Sequence, residues 1–387
     1  MHKLFNIYNF TKFHIEKGNG SYLFDSKNKK YLDFSAGVAV NSLGYNHPII
    51  NNSIKEQLKT GIMHLSGSQL HKYKIDLANT LSINSNKGDV FYSNSGAESI
   101  ETAIKVARSI GSKNNKSQII SMTSSFHGRT IGALSVGYNK KYKSNIGPIP
   151  GDVLFCKFND SLDLKKKINP KKTIAILIEF VQGDGGVNIC TKEFAKAIQE
   201  ICNKYKILLI ADEIQAGAGR TGKMFAYKNY SVSPDIITMA KGLGSGIPIG
   251  ATVIKKNISK VFQKGFHGST YGGGMLQTRI ALNVFNFINK KPFLNSILLK
   301  SKVLELKLIQ IQKEHMDKIK EIRIIGLICG IEFYDPKFAN FLFKNLIDKG
   351  LITTLVQSNT IRITPPLTIT KSEILSGIKI LSNSLNS

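Results

Sequence analysis

The chain has 387 residues, 42% of them hydrophobic and 20% charged, and a formal net charge of +27. That length allows two domains with sizeable cores, and no apolar run is long enough to span a membrane. Residues 1–18 lack the apolar stretch and small-residue cleavage site of a secretory signal, and Cys156, Cys190, Cys202 and Cys329 form no C-x-x-C pair, which argues against a disulfide scaffold or a zinc ribbon and fits reduced thiols in a cytoplasmic protein.

Taken in chain order, Gly20–Asp25 and Tyr31–Phe34 read as two strands around a polar turn. After a Gly- and Asn-rich stretch from Ala36 to Pro48, residues 49–83 carry helical spacing in Ile50, Ile54, Leu58, Leu70, Tyr73, Leu77 and Leu81. Asp89–Tyr92 predicts a short strand, followed by a helix with Ile100, Ile104 and Ala107 on one face. Apolar runs then recur at Gln118–Met122, Ile174–Glu179, Ile207–Asp212, Asp235–Ala240 and Ile249–Ile254, with a plain helix from Thr191 to Cys202 between the second and third. This alternation predicts βαβ units and an α/β fold whose mainly parallel sheet is covered by helices on both faces. Ligands in such folds bind beyond the carboxyl ends of the strands. Past residue 280 a long helix is expected over Thr278–Glu314. Two strands, Gly326–Phe333 and Thr360–Thr364, then flank a helix over Lys337–Lys349, the pattern of a smaller α+β domain.

The positive charge invites a nucleic-acid reading, because clustered Lys and Arg neutralise phosphates. Here the basic residues are scattered, and the densest runs, Lys165–Lys167 and Lys171-Lys172, fall in a surface connection with no interleaved aromatics. A nucleic-acid partner is not expected.

One motif misleads. Gly217-Ala-Gly-Arg-Thr-Gly-Lys223 matches most of a phosphate-binding loop, with Asp212-Glu213 resembling an acidic strand end that holds magnesium. The residue after Lys223 is Met224, so the metal-binding hydroxyl is missing. The acidic strand also precedes the loop instead of following it.

A more coherent constellation starts at Lys241. It ends the run Ile236–Ala240 and opens the flexible Gly242-Leu-Gly-Ser-Gly246 turn. A desolvated lysine has a lowered pKa and adds to carbonyl groups. Asp212, 29 positions earlier, also ends a buried run. A carboxylate there needs a cationic partner, and a pyridinium nitrogen is one; Gln215 stands within one turn, placed for the ring hydroxyl. Ser93-Asn-Ser-Gly-Ala-Glu98 joins a strand to a helix, where Ser95 caps and Gly96 and Ala97 offer backbone N–H groups to an anion. A phosphate cradle, an acid and a lysine at successive strand ends describe a pyridoxal 5'-phosphate site.

At this point the sequence resembles the class-III (ω-amino acid) aminotransferases of fold type I over nearly its whole length, and within them the N-acetylornithine aminotransferases. The matching motifs are Tyr31–Gly44, Ser93–Glu98, Phe126-His-Gly-Arg-Thr130, Gln182-Gly-Asp-Gly-Gly186, Asp212-Glu-Ile-Gln215, Gly219–Ala226, Ala240-Lys-Gly-Leu-Gly244 and His267-Gly-Ser-Thr-Tyr-Gly-Gly273. The resemblance implies that Lys241 and Asp212 are catalytic, that Phe126 stacks on the cofactor, and that Arg129 holds a substrate carboxylate with Ser269 nearby. It further implies that Arg362 takes the carboxylate of 2-oxoglutarate and that Glu179 supports Asp212. Thr270 would complete the partner's phosphate site in a homodimer. Residues 1–48 would join the small domain of 281–387, with 49–280 as the large cofactor-binding domain. The implied reaction converts N2-acetyl-L-ornithine and 2-oxoglutarate to N-acetyl-L-glutamate 5-semialdehyde and L-glutamate, a step of arginine biosynthesis. Ornithine, succinylornithine, succinyl-diaminopimelate and 4-aminobutyrate stay open as donors. More distant is a basic nucleic-acid-binding protein on a degenerate scaffold. Three departures stand out: Asp184 where the family usually has Glu, one methylene shorter, which weakens any pairing with Arg362; Gly274-Met275 where Asn-Pro is usual, which loosens the turn by Thr270; and Tyr45 where His is common.

Overall fold

The computed structural model describes residues 13–386 together with Lys3, Phe5 and Ile7. Half of the stretch read above as lacking a secretory signal therefore lies outside the described residues. Strands β1 (Ile15–Asn19), β2 (Tyr22–Asp25) and β3 (Lys30–Asp33) pair antiparallel. The first of these was not expected, because its side chains are mostly exposed and carry no apolar alternation. Next come β4 (Asp89–Ser93), β5 (Gln118–Met122), β6 (Val153–Cys156), β7 (Thr173–Ile178), the short pair β8 (Val181–Gln182) and β9 (Asn188–Ile189), then β10 (Leu208–Asp212), β11 (Ile236–Met239) and β12 (Gly250–Ile254).

Seven of these form the central sheet in the order β4-β12-β11-β10-β7-β5-β6. β12 runs antiparallel to both neighbours, while the remaining pairs are parallel. The α/β expectation holds, with one reversed strand. β5 and β7 are buried along their whole length, which is why they read as unbroken apolar runs. The edge strand β6 is short and half-exposed, so its sequence carried no such signal.

The expected long helix over Thr278–Glu314 is two helices, Met275–Ile288 and Lys291–Glu314. Pro292 lies in the first turn of the second, where a missing N–H costs nothing but the preceding helix cannot continue. The expected strand Gly326–Phe333 is the second arm of a hairpin, β13 (Ile319–Ile325) and β14 (Ile328–Phe333), turning at Gly326 with φ +60°. β15 (Leu351–Ile352), β16 (Thr354–Val356) and β17 (Thr360–Ile363) follow. Strands β13-β14-β17-β16 make an antiparallel sheet, and β15 pairs in parallel with β3, so both ends of the chain share a sheet.

Helix Gly96–Ser112 lies across the central sheet and buries Ile100, Ala103, Ile104 and Ala107. Because β4, β7, β10 and β11 run the same way, their last residues open onto one edge. Among the described residues, no helix is long and apolar enough to cross a membrane.

Candidate active site

A cavity of about 400 Å³ opens at that edge. Its walls include Ser95, Gly96 and Ala97 after β4, Phe126 and Arg129 after β5, Glu179 after β7, Asp212 and Gln215 at the end of β10, and Lys241 after β11. Residues scattered over 146 positions of sequence thus meet because parallel strands end together.

Ser95 keeps extended backbone and its side chain accepts from the amide of Glu98 at 3.2 Å, capping the helix. The amides of Gly96 and Ala97 lie in the unpaired first turn, an anion site. A side chain at residue 96 would meet the Ile214 methyl at 2.9 Å, so the glycine lets Ile214 close over the helix end.

Asp212 is 3% exposed, and its Oδ2 stands 2.6 Å from Nδ1 of the buried His127. Its Oδ1 accepts from the Ile214 amide at 3.0 Å. His127 is the residue that the sequence reading left without a role. Its position beside Phe126 was visible, but the fold alone brings it against Asp212 across 85 positions. Glu179, expected to support Asp212, lines the cavity with it and accepts from the Phe126 amide at 2.9 Å, which orients the aromatic residue. Burial, with Asp212 and Asp184 nearby, pushes the Glu179 carboxyl well above its usual range.

Lys241 has φ +42°, a conformation strained for a non-glycine residue. The side chain is reachable through the cavity yet lies deep in the molecule. Burial lowers its pKa, only partly offset by Asp184, Asp212 and Glu179.

Arg362 does not line this cavity directly. Its Nη1 donates to Asp184 and, at 3.1 Å, to Gln215 Oε1. The shorter Asp184 was expected to weaken this pairing; the pair is formed, and the Gln182–Gly186 loop is tied beside it, Gln357 donating to the Asp184 carbonyl at 2.8 Å and Arg323 to the Gly186 carbonyl at 3.0 Å. Burial opposes ionisation of Asp184, but Arg362 and Lys241 hold its carboxyl below the ordinary value. Gln215, expected to serve the cofactor ring, spends its carbonyl oxygen on Arg362.

Arg129 is exposed, with its guanidinium carbon 3.5 Å from the centroid of the Tyr142 ring and 5.7 Å from that of Phe126. Ser269 is bonded by Asn94 Nδ2 at 3.2 Å, at the cavity rim. Thr270 is exposed and does not line the cavity of its own chain. The turn beside it was expected to be loose. It is fastened by His71, whose Nε2 lies 3.0 Å from the Gly273 carbonyl.

Val40, which lines the cavity, follows a left-handed turn. Ala36, Gly37, Val38 and Ala39 have φ between +47° and +65°, costing roughly 1–2 kcal/mol for each non-glycine residue. Asp33 holds it, accepting from the Ser35 and Ala36 amides at 2.7 and 3.0 Å, and Tyr45 donates to Asp33 at 2.6 Å. The tyrosine departure is thus a clamp on this turn.

The misleading loop is a packing element. Glu213 accepts from the amides of Ala226 and Tyr227 at 2.6 and 2.8 Å, and the fully buried Arg220 donates to the carbonyls of Leu327 and Pro365. Burial lowers the Arg220 pKa to about 9. The amides of Gly217, Gly219, Arg220 and Gly222 are bonded to carbonyls of the same stretch, so the loop forms no cradle for a phosphate, although Lys223 is exposed.

The donor set suits pyridoxal phosphate: amides at a helix end for the phosphate, a buried carboxylate fixed by His127 for the ring nitrogen, and a lysine of lowered pKa between them. The family model of the class-III aminotransferases matches residues 6–385. The chain is 40% identical over 386 residues to the acetylornithine aminotransferase of Caldanaerobacter subterraneus subsp. tengcongensis, covering 99% of this chain and 97% of that one. It is 41% identical over 379 residues to the acetylornithine/succinyldiaminopimelate aminotransferase of Buchnera aphidicola subsp. Acyrthosiphon pisum, covering 96% and 92%. The fold superposes on the crystal structure of N-acetylornithine aminotransferase from Stenotrophomonas maltophilia with a TM-score of 0.85 at 29% identity, covering 98% and 96%. Site and likeness agree, and the chain belongs to the class-III aminotransferases, enzymes of fold type I that depend on pyridoxal phosphate.

Proposed function

We propose that the chain moves the terminal amine of N2-acetyl-L-ornithine to 2-oxoglutarate, giving N-acetyl-L-glutamate 5-semialdehyde and L-glutamate, a step of arginine biosynthesis. The observation that carries this reading is the pair of arginines serving one reaction centre in different states. Arg129 stands open beside aromatic rings, while Arg362 is closed onto Asp184 and Gln215.

Bound pyridoxal phosphate supplies the electron-withdrawing ring and the carbonyl carbon at which amines exchange. Gly96 and Ala97 would hold its phosphate, with Ser95 capping their helix; Asp212, steadied by His127, would face its ring nitrogen; and Phe126 would cover its face. Lys241, with its lowered proton affinity, accepts and returns a proton at Nζ. Arg129 takes the donor's carboxylate. A donor with one carboxylate leaves Arg362 neutralised by Asp184. 2-Oxoglutarate brings a second carboxylate, and Arg362 exchanges Asp184 for it in a two-point contact. Ser269 reaches the substrate from the rim. Thr270, exposed in the single chain, would complete the phosphate site of a partner subunit in a cytoplasmic homodimer.

The test is a panel of amine donors with 2-oxoglutarate, following glutamate. N2-acetylornithine should give the highest kcat/KM among ornithine, 4-aminobutyrate and the acetylated donor. A preference for either free amine overturns the assignment.

A further inference from the structure

Lys241 opens the turn Gly242-Leu-Gly-Ser-Gly246, which its glycines mark as flexible. In the structure that turn is fastened from outside. The Ser42 hydroxyl donates to the Gly242 carbonyl at 2.9 Å, and the Ser245 hydroxyl oxygen accepts from the Leu43 amide at 3.0 Å, across 200 and 202 positions of sequence. We propose that Ser245 and Ser42 are positioning residues: they latch the turn onto residues 42–43 and so hold Lys241 where it passes a proton to and from the reacting carbon. This rests on the role given to Lys241 above.

The first observation is backbone strain. Ser245 has φ +44°, in the left-handed region that favours glycine. Glycine stands on both sides of it, and at 244 nothing larger fits, since a Cβ there would lie 1.9 Å from the Ile247 carbonyl oxygen. A third glycine at 245 would relieve the strain, yet the position carries a serine whose hydroxyl receives the Leu43 amide. Ser245 is 2% exposed and Ser42 1%, so water is a poor substitute for either bond. Inside the turn, the amides of Gly244 and Ser245 donate to the Lys241 carbonyl at 3.0 and 3.2 Å, so a shift at Ser245 passes directly to the lysine backbone.

The second observation is what the latch is fixed to. Ser42 and Leu43 use their carbonyls on the segment after β17: Ser42 accepts from the Leu367 amide at 2.7 Å, and Leu43 from the Thr368 hydroxyl at 3.1 Å. β17 carries Arg362. Residues 42–43 therefore join the turn of Lys241, at the edge of the central sheet, to the strand of Arg362 in the antiparallel sheet. Without that joint the lysine keeps its strand but loses its fixed distance to the groups across the cavity. A displacement of about 1 Å at a reacting group costs a large factor in rate, while the groups that bind substrate stay in place.

The experiment uses the holoenzyme and its half-reaction with L-glutamate, the product common to every donor considered, so it does not depend on which terminal amine is preferred. Ser245→Gly removes one bond of the latch together with the strain, and Ser42→Ala removes the other bond. In each, the single-turnover rate constant at saturating glutamate should fall about tenfold per bound cofactor, while the half-saturating concentration stays within about twofold, since neither serine lines the cavity. Hydrogen exchange at the Leu43 amide should rise about tenfold in Ser245→Gly, a readout independent of turnover. Lys206→Gly is the control. Lys206 is exposed, has φ +55° and lies at the opposite end of β10 from the cavity, so the change swaps a strained residue for glycine without touching the turn. Its rate should stay within about twofold. An unchanged rate per bound cofactor in either serine variant, an equal fall in Lys206→Gly, or unchanged exchange at Leu43 overturns the proposal. So does a loss of cofactor content alone, which marks a merely structural role. Borohydride mapping of the natural protein judges the underlying reading separately: attachment to another lysine removes Lys241 from the reaction, whereas attachment at Lys241 with unaltered variant rates sinks the latch alone.

Discussion

Arg362 and Arg129, the two arginines proposed to take substrate carboxylates, stand in opposite circumstances. Arg362 is 2% exposed, and its charge is met by Asp184 and Gln215. Arg129 is exposed and rests on the faces of Tyr142 and Phe126, with no carboxylate partner among the described residues. A buried guanidinium without a counter-charge is costly, so Arg362 has a protein partner to fall back on when no ligand carboxylate is present. An exposed one is already solvated and needs only orientation, which ring faces supply at about 0.5–2 kcal/mol. In the proposed reaction the buried arginine would therefore act by exchange and the exposed one by simple capture. An enzyme that receives two different acids in turn can use that difference to tell them apart.

The largest expected effect removes what both arginines serve. Lys241→Ala should slow both half-reactions by about 10³-fold or more, since among the described residues Lys241 is the one lysine lining the cavity. Borohydride reduction of the natural protein should attach the cofactor at Lys241, as peptide mapping can check; attachment at another lysine contradicts the assignment. Next, Asp212→Asn should lower both halves together by about 10²-fold, because the ring nitrogen loses its counter-charge, whose removal from a buried pair costs about 3–5 kcal/mol. Near-normal single-turnover rates in that variant would remove Asp212 from the mechanism.

The two arginines separate at the next level. Arg362→Ala should slow the 2-oxoglutarate half at least tenfold more than the donor half, since truncating a buried charged pair costs about 2–5 kcal/mol. Arg362→Lys should not restore it, lacking the planar two-point contact. Equal slowing of both halves would end the division of labour. A smaller effect is expected at Thr270. Thr270→Ala should weaken cofactor retention by about 1.5–3 kcal/mol, one charge-assisted bond, as equilibrium dialysis would register. A fully active monomer by sedimentation would show that Thr270 serves no partner.

The smallest effect is on the stability of the cofactor-free protein. Burial holds the Lys241 pKa below its ordinary value, so between the two values the unfolded chain binds more protons than the folded one, and stability rises with pH across that window. Lys241→Met should remove this slope. Its stability advantage over the natural chain should shrink as pH climbs from 7 toward the ordinary lysine value in denaturant titrations.

Much of this was readable before any coordinates. The buried runs of β5, β7, β10 and β11 announced a parallel sheet, and chemistry was sought where they end; Lys241, Asp212 and the Ser95–Ala97 cap do stand there. The break at Asn289-Lys290 was missed because apolar spacing continues through it, although Pro292 was a usable signal. His127 was missed because a histidine beside an aromatic residue has no period that names its partner.

The residues alone determined the buried strands and main helices of the central sheet, the strand-end positions of the acid and the lysine, and the helix end fit for an anion, because periodicity and capping are local properties of neighbouring side chains. Tertiary structure decided which groups meet. It turned β12 against its neighbours, set His127 on Asp212 across 85 positions and Arg362 on Asp184 across 178, and laid Arg129 on the ring of Tyr142. Such contacts depend on how strands order and helices cross, and packing between distant segments leaves no trace in local spacing.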